Sequence, residues 1–183
     1  MFHSDSGRAN VRLSLSDSQW SQPFSIQAAG SSEVVSVLVG NEVYQFNVNT
    51  SLCMAPFTRT KMVVFTPRYI IVNSLHFPVV LKQFNDPLNI RLESGETQPL
   101  YKWPNFSLPE KLCFKRDDAS ALWTTPIAVS DVTDETLTLQ GTNWSRFARL
   151  EVQRGNSTFL LLSHQKPSLV PLVICNRTVV CDV

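Results

Sequence analysis

The residues in this sequence whose types suit metal or acid–base chemistry are few and scattered. Three histidines, His3, His76 and His164, lie far apart, and none has a Cys, His or carboxylate at ligand spacing beyond the adjacent His3-Ser4-Asp5. Asp117-Asp118, Asp131 and Asp134-Glu135 are loop acids without the alternating oxygen pattern of a calcium loop, so they read as solvated turns. A nucleophilic triad is a spatial arrangement that sequence leaves open, but there is no Gly-x-Ser-x-Gly elbow. Six glycines leave no phosphate-cradling loop. The cysteines Cys53, Cys113, Cys175 and Cys181 form no Cys-x-x-Cys pair, and Cys113, in Leu112-Cys113-Phe114, reads as a buried core thiol. No catalytic, cofactor or metal residue is therefore assigned, and the chain reads as non-enzymatic.

The informative polar residues are those that recur. Trp20-Ser21-Gln22-Pro23-Phe24 returns 103 residues later as Trp123-Thr124-Thr125-Pro126-Ile127. Asn73, after Tyr69-Ile70-Ile71-Val72, returns at the same offset as Asn176, after Leu172-Val173-Ile174-Cys175. Apolar class is kept around these anchors, Phe24 with Ile127, Ile26 with Val129 and Ile71 with Ile174. Such self-similarity marks stacked modules that present binding surfaces. Trp20 and Trp123 are expected to be core or inter-strand anchors. An Asn that follows a buried strand can hydrogen-bond nearby backbone and set how the next loop leaves the sheet. Asn73 and Asn176 are therefore read as structural, with direct contact to a partner as the alternative.

The elements that must position these residues are strands. Val11–Leu15 and Phe24–Ile26 alternate with period two, and Glu33–Val39 is β-branched and stops at Gly40-Asn41, a hairpin turn into Glu42–Val48. Lys61–Phe65 and Arg68–Val72 hinge at Pro67, followed by Phe77–Lys82 and Asn89–Glu93. Lys111–Lys115, Ile127–Val129, Thr136–Gln140, Phe147–Gln153 and Thr158–Leu162 repeat the texture, and no window carries a capped 3.6-residue stripe. Eleven prolines lie between the short runs. The reading is all-β, with tandem sandwich-like repeats of about 100 residues, a fragment of a longer array. Residues 1–66 read as the later part of one repeat, 67–169 as one complete repeat, and 170–183 as the opening strand of a further one. Both ends are expected to carry unpaired strand edges or to lean on neighbouring repeats.

Composition narrows the partners. The chain is 43% hydrophobic and 17% charged, as in globular domains, and Lys plus Arg (16) nearly balance Asp plus Glu (15). A net charge of +1 creates no field that would favour nucleic acid or an acidic membrane. Apolar runs such as Phe159–Leu162 are far shorter than a membrane span. No secretory leader opens the sequence, so the reduced cytosol is the expected setting. Against that stand five Asn-x-Ser/Thr sequons, at Asn49, Asn105, Asn143, Asn156 and Asn176, and a Cys175–Cys181 bridge that an oxidising compartment would allow.

Several phrases taken together resemble a known family. They are Pro67-Arg68-Tyr69-Ile70-Ile71-Val72-Asn73, Tyr101-Lys102-Trp103-Pro104, the two Trp-Ser/Thr-x-Pro phrases, and Pro171-Leu172-Val173-Ile174-Cys175-Asn176-Arg177-Thr178. Their order and spacing are similar to the adaptor-binding region of the vacuolar-protein-sorting-13 family of bridge-like lipid-transfer proteins. The resemblance implies tandem all-β repeats, each with a characteristic Asn, matched here by Asn73 and Asn176. It also implies recruitment to organelle membranes or contact sites through Pro-x-Pro motifs in adaptors, with membrane association indirect. Physically such a ligand is reasonable. A Pro-x-Pro strand turns both missing N–H positions outward while its central residue offers N–H and C=O to a sheet edge. The runner-up is a secreted or surface β-sandwich, carbohydrate-binding in one version, which the sequons would suit.

Overall fold

A computed structural model describes residues 1–165, and these are all strand, turn and loop, with no helix among them. Sixteen strands follow in order: β1 Phe2–Asp5, β2 Arg8–Val11, β3 Phe24–Ser25, β4 Ser32–Val39, β5 Glu42–Leu52, β6 Lys61–Pro67, β7 Tyr69–Asn73 and β8 Val79–Gln83. The remainder are β9 Ile90–Leu92, β10 Thr97–Leu100, β11 Lys102–Trp103, β12 Lys111–Arg116, β13 Ile127–Ala128, β14 Asp134–Gly141, β15 Trp144–Arg154 and β16 Thr158–His164.

They form four sheets. In the N-terminal part, β1-β2-β3 faces the β4-β5-β6 sheet, and β11 adds to the same side of β5 as β6, further along it. In the C-terminal part, β10-β7-β16-β15-β14 faces β13-β12-β8-β9. The alternating runs explain which side chains turn inward. Ile71, Leu81, Leu112, Phe114, Leu137, Leu139, Leu150, Leu160 and Leu162 are buried in one C-terminal core, whereas the N-terminal cluster is the smaller set Ala9, Phe24, Val35 and Val48.

The hairpin expected at Gly40-Asn41 forms, with Val39 paired to Glu42 and Gly40 at φ +57°, a conformation glycine adopts without steric cost. Other boundaries differ. The strand expected over Val11–Leu15 ends at Val11, because the Ser18 hydroxyl takes the Leu13 N–H and the Ser18 N–H closes a turn onto the Leu15 carbonyl. Leu15 is exposed in that turn. The polar opening Phe2–Asp5 is a strand, paired with Arg8–Val11. Thr97–Leu100 is a strand despite Pro99, since β10 is the sheet's edge and needs no outward donor there.

Candidate functional site

The recurring residues divide into buried latches and exposed surface. Asn73 is fully buried at the end of β7. Its amide donates to the carbonyls of Phe77 (3.0 Å), Leu92 (3.3 Å) and Glu93 (2.9 Å), and its Oδ1 accepts the Leu75 N–H (3.1 Å). One side chain thus ties the β7–β8 connection to the end of β9. Gln83 does the same for the loop before β12: its amide donates to the Asn105, Leu108 and Pro109 carbonyls, and its Oε1 accepts the Asn105 N–H. A lone glutamine carries no repeat signal, so the sequence gives no hint of that role. Asn176 lies outside the described residues.

The tryptophan phrase works differently from expectation. Trp20 is 46% exposed, which corrects its reading as a core anchor, and Trp123 is only half-buried. The inward-facing member is the hydroxyl residue that follows. The Val11 N–H donates to Ser21 Oγ (3.1 Å) and the Phe114 N–H to Thr124 Oγ1 (3.0 Å). In return, the Ser21 and Thr124 N–H groups donate to the Val11 and Phe114 carbonyls, both at 2.8 Å. Each tryptophan then lies under the cation that follows the residue its phrase bonds to, Arg12 after Val11 over Trp20 at 5.0 Å and Lys115 after Phe114 over Trp123 at 5.1 Å, with Lys82 also over Trp123 at 4.7 Å. A large ring with a polar N–H is accommodated at the surface when a cation covers its face, so burial is not needed to hold it.

Two of the resemblance-bearing phrases meet where the N- and C-terminal parts join. Gln45 is buried there, accepting the Trp103 Nε1–H (3.0 Å) and an Arg68 N–H (2.8 Å) on Oε1 and donating to Glu110 (2.6 Å). Arg68 also pairs with Glu110 and lies 4.8 Å over the Tyr69 ring. Burial, ahead of the opposing Arg68 charge, pushes the Tyr69 hydroxyl above its ordinary pKa.

The residues screened for chemistry fall apart in space or into structural roles. His76 and His164 do come together, with rings 4.6 Å apart, while His3 lies against Trp20. Among the described residues no three His, Cys, Asp or Glu side chains are placed to hold a metal ion. Asp118 caps the Ser120 N–H and hydroxyl, bonds that hold its carboxyl below the usual range, and Arg149 does the same for Asp134. Cys113 is a buried free thiol whose pKa burial raises. The Asn49 amide is buried on β5 without a partner, so that sequon is closed to a glycan in this fold. No described helix is long and apolar enough to cross a membrane.

Beside the Trp123 phrase a groove of about 260 Å³ lies between the edge strand β14 and the segment 122–127 that leads into β13. Trp123, Thr124 and Thr125 wall one side and Thr136, Leu137 and Thr138 the other. The Val152 N–H donates to the Thr133 carbonyl, so by antiparallel alternation Glu135 and Leu137 bond to β15 while the backbone of Thr136 and Thr138 points into the groove. That is an edge suited to an extended peptide.

The model of the adaptor binding domain of vacuolar-sorting associated protein 13 matches residues 1–181. The chain belongs to this family. It is 27% identical over 164 residues to an intermembrane lipid transfer protein VPS13 of Chaetomium thermophilum, covering 87% of this chain and 5% of that relative. It is 27% identical over 142 residues to intermembrane lipid transfer protein vps13E of Dictyostelium discoideum (73% and 3%), and 26% over 145 residues to tipC of the same organism (67% and 4%). The chain therefore spans only a small fraction of the length of these relatives. As an adaptor-binding domain it accords with the all-β repeat reading and with adaptors as its partners.

Proposed function

We propose that this domain is a non-enzymatic docking module of an intermembrane lipid-transfer protein, binding Pro-x-Pro motifs of adaptors and so bringing the protein to organelle membranes or contact sites from the cytoplasmic side. The observation that carries the reading is the stretch of β14 edge at Thr136 and Thr138, opposite the Trp123 phrase and short of Gln140, whose carbonyl already accepts the Leu122 N–H at 2.7 Å. A strand with prolines at alternate positions lacks outward donors, and its central residue can bond the free Thr136 or Thr138 backbone while its rings rest on the groove wall. The balanced net charge suits such an apolar and backbone-driven ligand better than a polyanion. The array reading, with a complete repeat over 67–169 flanked by residues 1–66 and 170–183 of adjoining repeats, supplies the rigid scaffold.

NMR titration of the 183-residue chain with a Pro-x-Pro peptide tests this. Shifts centred on Thr136, Thr138 and Trp123, lost in a Thr138→Pro variant that retains its fold, are expected. Absence of binding by the folded chain, or shifts mapping away from β14, would count against this edge as the docking site.

A further inference from the structure

The two long hairpins match in register. Every β4–β5 pair, from Ser32↔Asn49 to Val39↔Glu42, has its β14–β15 counterpart, from Asp134↔Glu151 to Gly141↔Trp144. Continuing across, Val48↔Phe65 and Thr50↔Val63 correspond to Leu150↔Leu162 and Val152↔Leu160. Phe65 thus stands where Leu162 stands, and Val63 where Leu160 stands. On the far side of β16, β7 runs parallel, pairing Thr158↔Tyr69 through Leu162↔Asn73, with the Thr158 N–H donating to the Arg68 carbonyl and the Ser74 N–H to the Leu162 carbonyl, both at 2.8 Å.

The same side of β6 pairs with nothing among the described residues. Its unused groups have the matching phase. The Arg68 N–H donates to the Gln45 carbonyl, so by alternation Met62, Val64 and Thr66 bond to β5 while Lys61, Val63 and Phe65 point their N–H and C=O outward. Beside this edge lies an apolar groove of about 350 Å³ lined by Phe2, Val11, Leu13, Phe46 and Phe65. In the C-terminal sandwich the equivalent space is filled by inward side chains of β7, Tyr69 and Ile71.

We infer that the outer edge of β6 accepts a strand of the Tyr69–Asn73 type, laid parallel to β6 and supplied by another repeat. Its first and third residues enter the groove and its Asn comes beside Phe65, as Asn73 comes beside Leu162. The sequence holds a second segment of this character, Leu172-Val173-Ile174-Cys175-Asn176, so the donor chemistry recurs with the repeat. The inference rests on the repeat organisation and is independent of Pro-x-Pro binding at β14.

The test is a titration of the 183-residue chain with a synthetic peptide carrying residues 68–75, read by residue-resolved amide hydrogen exchange. Saturable binding is expected to slow exchange at Val63 and Phe65 by at least about tenfold, with a scrambled peptide inert. Phe65→Pro leaves the β5–β6 hydrogen bonds in place but removes an outward donor together with the ring that lines the groove and meets Phe24, so it should keep the β-sheet circular dichroism and weaken binding by about tenfold or more. Should that variant unfold, the exchange pattern of the unaltered chain alone decides. Head-to-tail association of chains that the peptide reverses also supports the inference. A folded chain whose Val63 and Phe65 exchange is unmoved by peptide overturns it. Because a Pro-x-Pro peptide is expected at β14 instead, failure at one edge leaves the result at the other intact.

Discussion

At equivalent places in the two hairpins, Leu162 is 1% exposed and Phe65 is 39% exposed. The residues are similarly apolar and their strands share register, so neither local sequence nor pairing accounts for the contrast. What differs is the neighbour: β16 has β7 beside it and β6 has an open edge. In the C-terminal sandwich β7 completes the sheet beside β16, and the core beneath Leu162 is dry because that strand covers it.

The sharpest way to break the comparison is at Asn73, which fixes the closing strand. Asn73→Lys places a charge among three carbonyls in a fully buried site and should cost about 4 kcal/mol or more, measured by chemical denaturation. A folded variant of near-normal stability would remove the latch role. Next comes the pair of truncations at matched positions. Leu162→Ala should cost about 3 kcal/mol and Phe65→Ala about 1 kcal/mol, since only the first opens a cavity in a sealed core. Equal losses would mean that the N-terminal sandwich is covered in solution.

Smaller effects probe what the two halves share. Ser21→Ala and Thr124→Val each remove one hydroxyl acceptor from a strand N–H and should cost about 1 kcal/mol apiece by thermal unfolding. A large difference between them would break the equivalence of the two phrases. Trp20→Ala should cost less than about 1 kcal/mol, and Trp123→Ala somewhat more because two ammonium groups rest on its ring. The least effect concerns acid. Asp134 is held below its ordinary pKa by the Arg149 hydrogen bond, so its contribution is present above the unfolded carboxylate range and is lost as pH falls through the depressed folded value. Asp134→Asn should slightly flatten the acid limb of a stability–pH profile.

Much of the fold was legible in the chain. Period-two runs placed most strands, and Gly40-Asn41 placed a turn. The misreadings have local causes: Ser18 competed for the backbone after Val11, and Pro99 disguised an edge strand. The repeated phrases pointed to the right segments but to the wrong residue within one of them. Trp20 stood out by size, whereas the inward contact belongs to Ser21, whose small hydroxyl fits where an indole would not. Gln45 and Gln83 left no trace in sequence, because a buried amide is recognised by the carbonyls around it and those come from distant strands.

The sequence by itself determined the all-β class, the 103-residue echo, the recurrence of Asn after an apolar strand and the family phrases, since these depend on residue type and spacing. Only the tertiary structure decided which edges are closed, which recurring residue faces inward, and that the Arg68 and Trp103 phrases meet on Gln45. Those outcomes depend on strand neighbours remote in the chain, and a hydrogen-bonding edge carries no mark of its partner until the sheets are assembled.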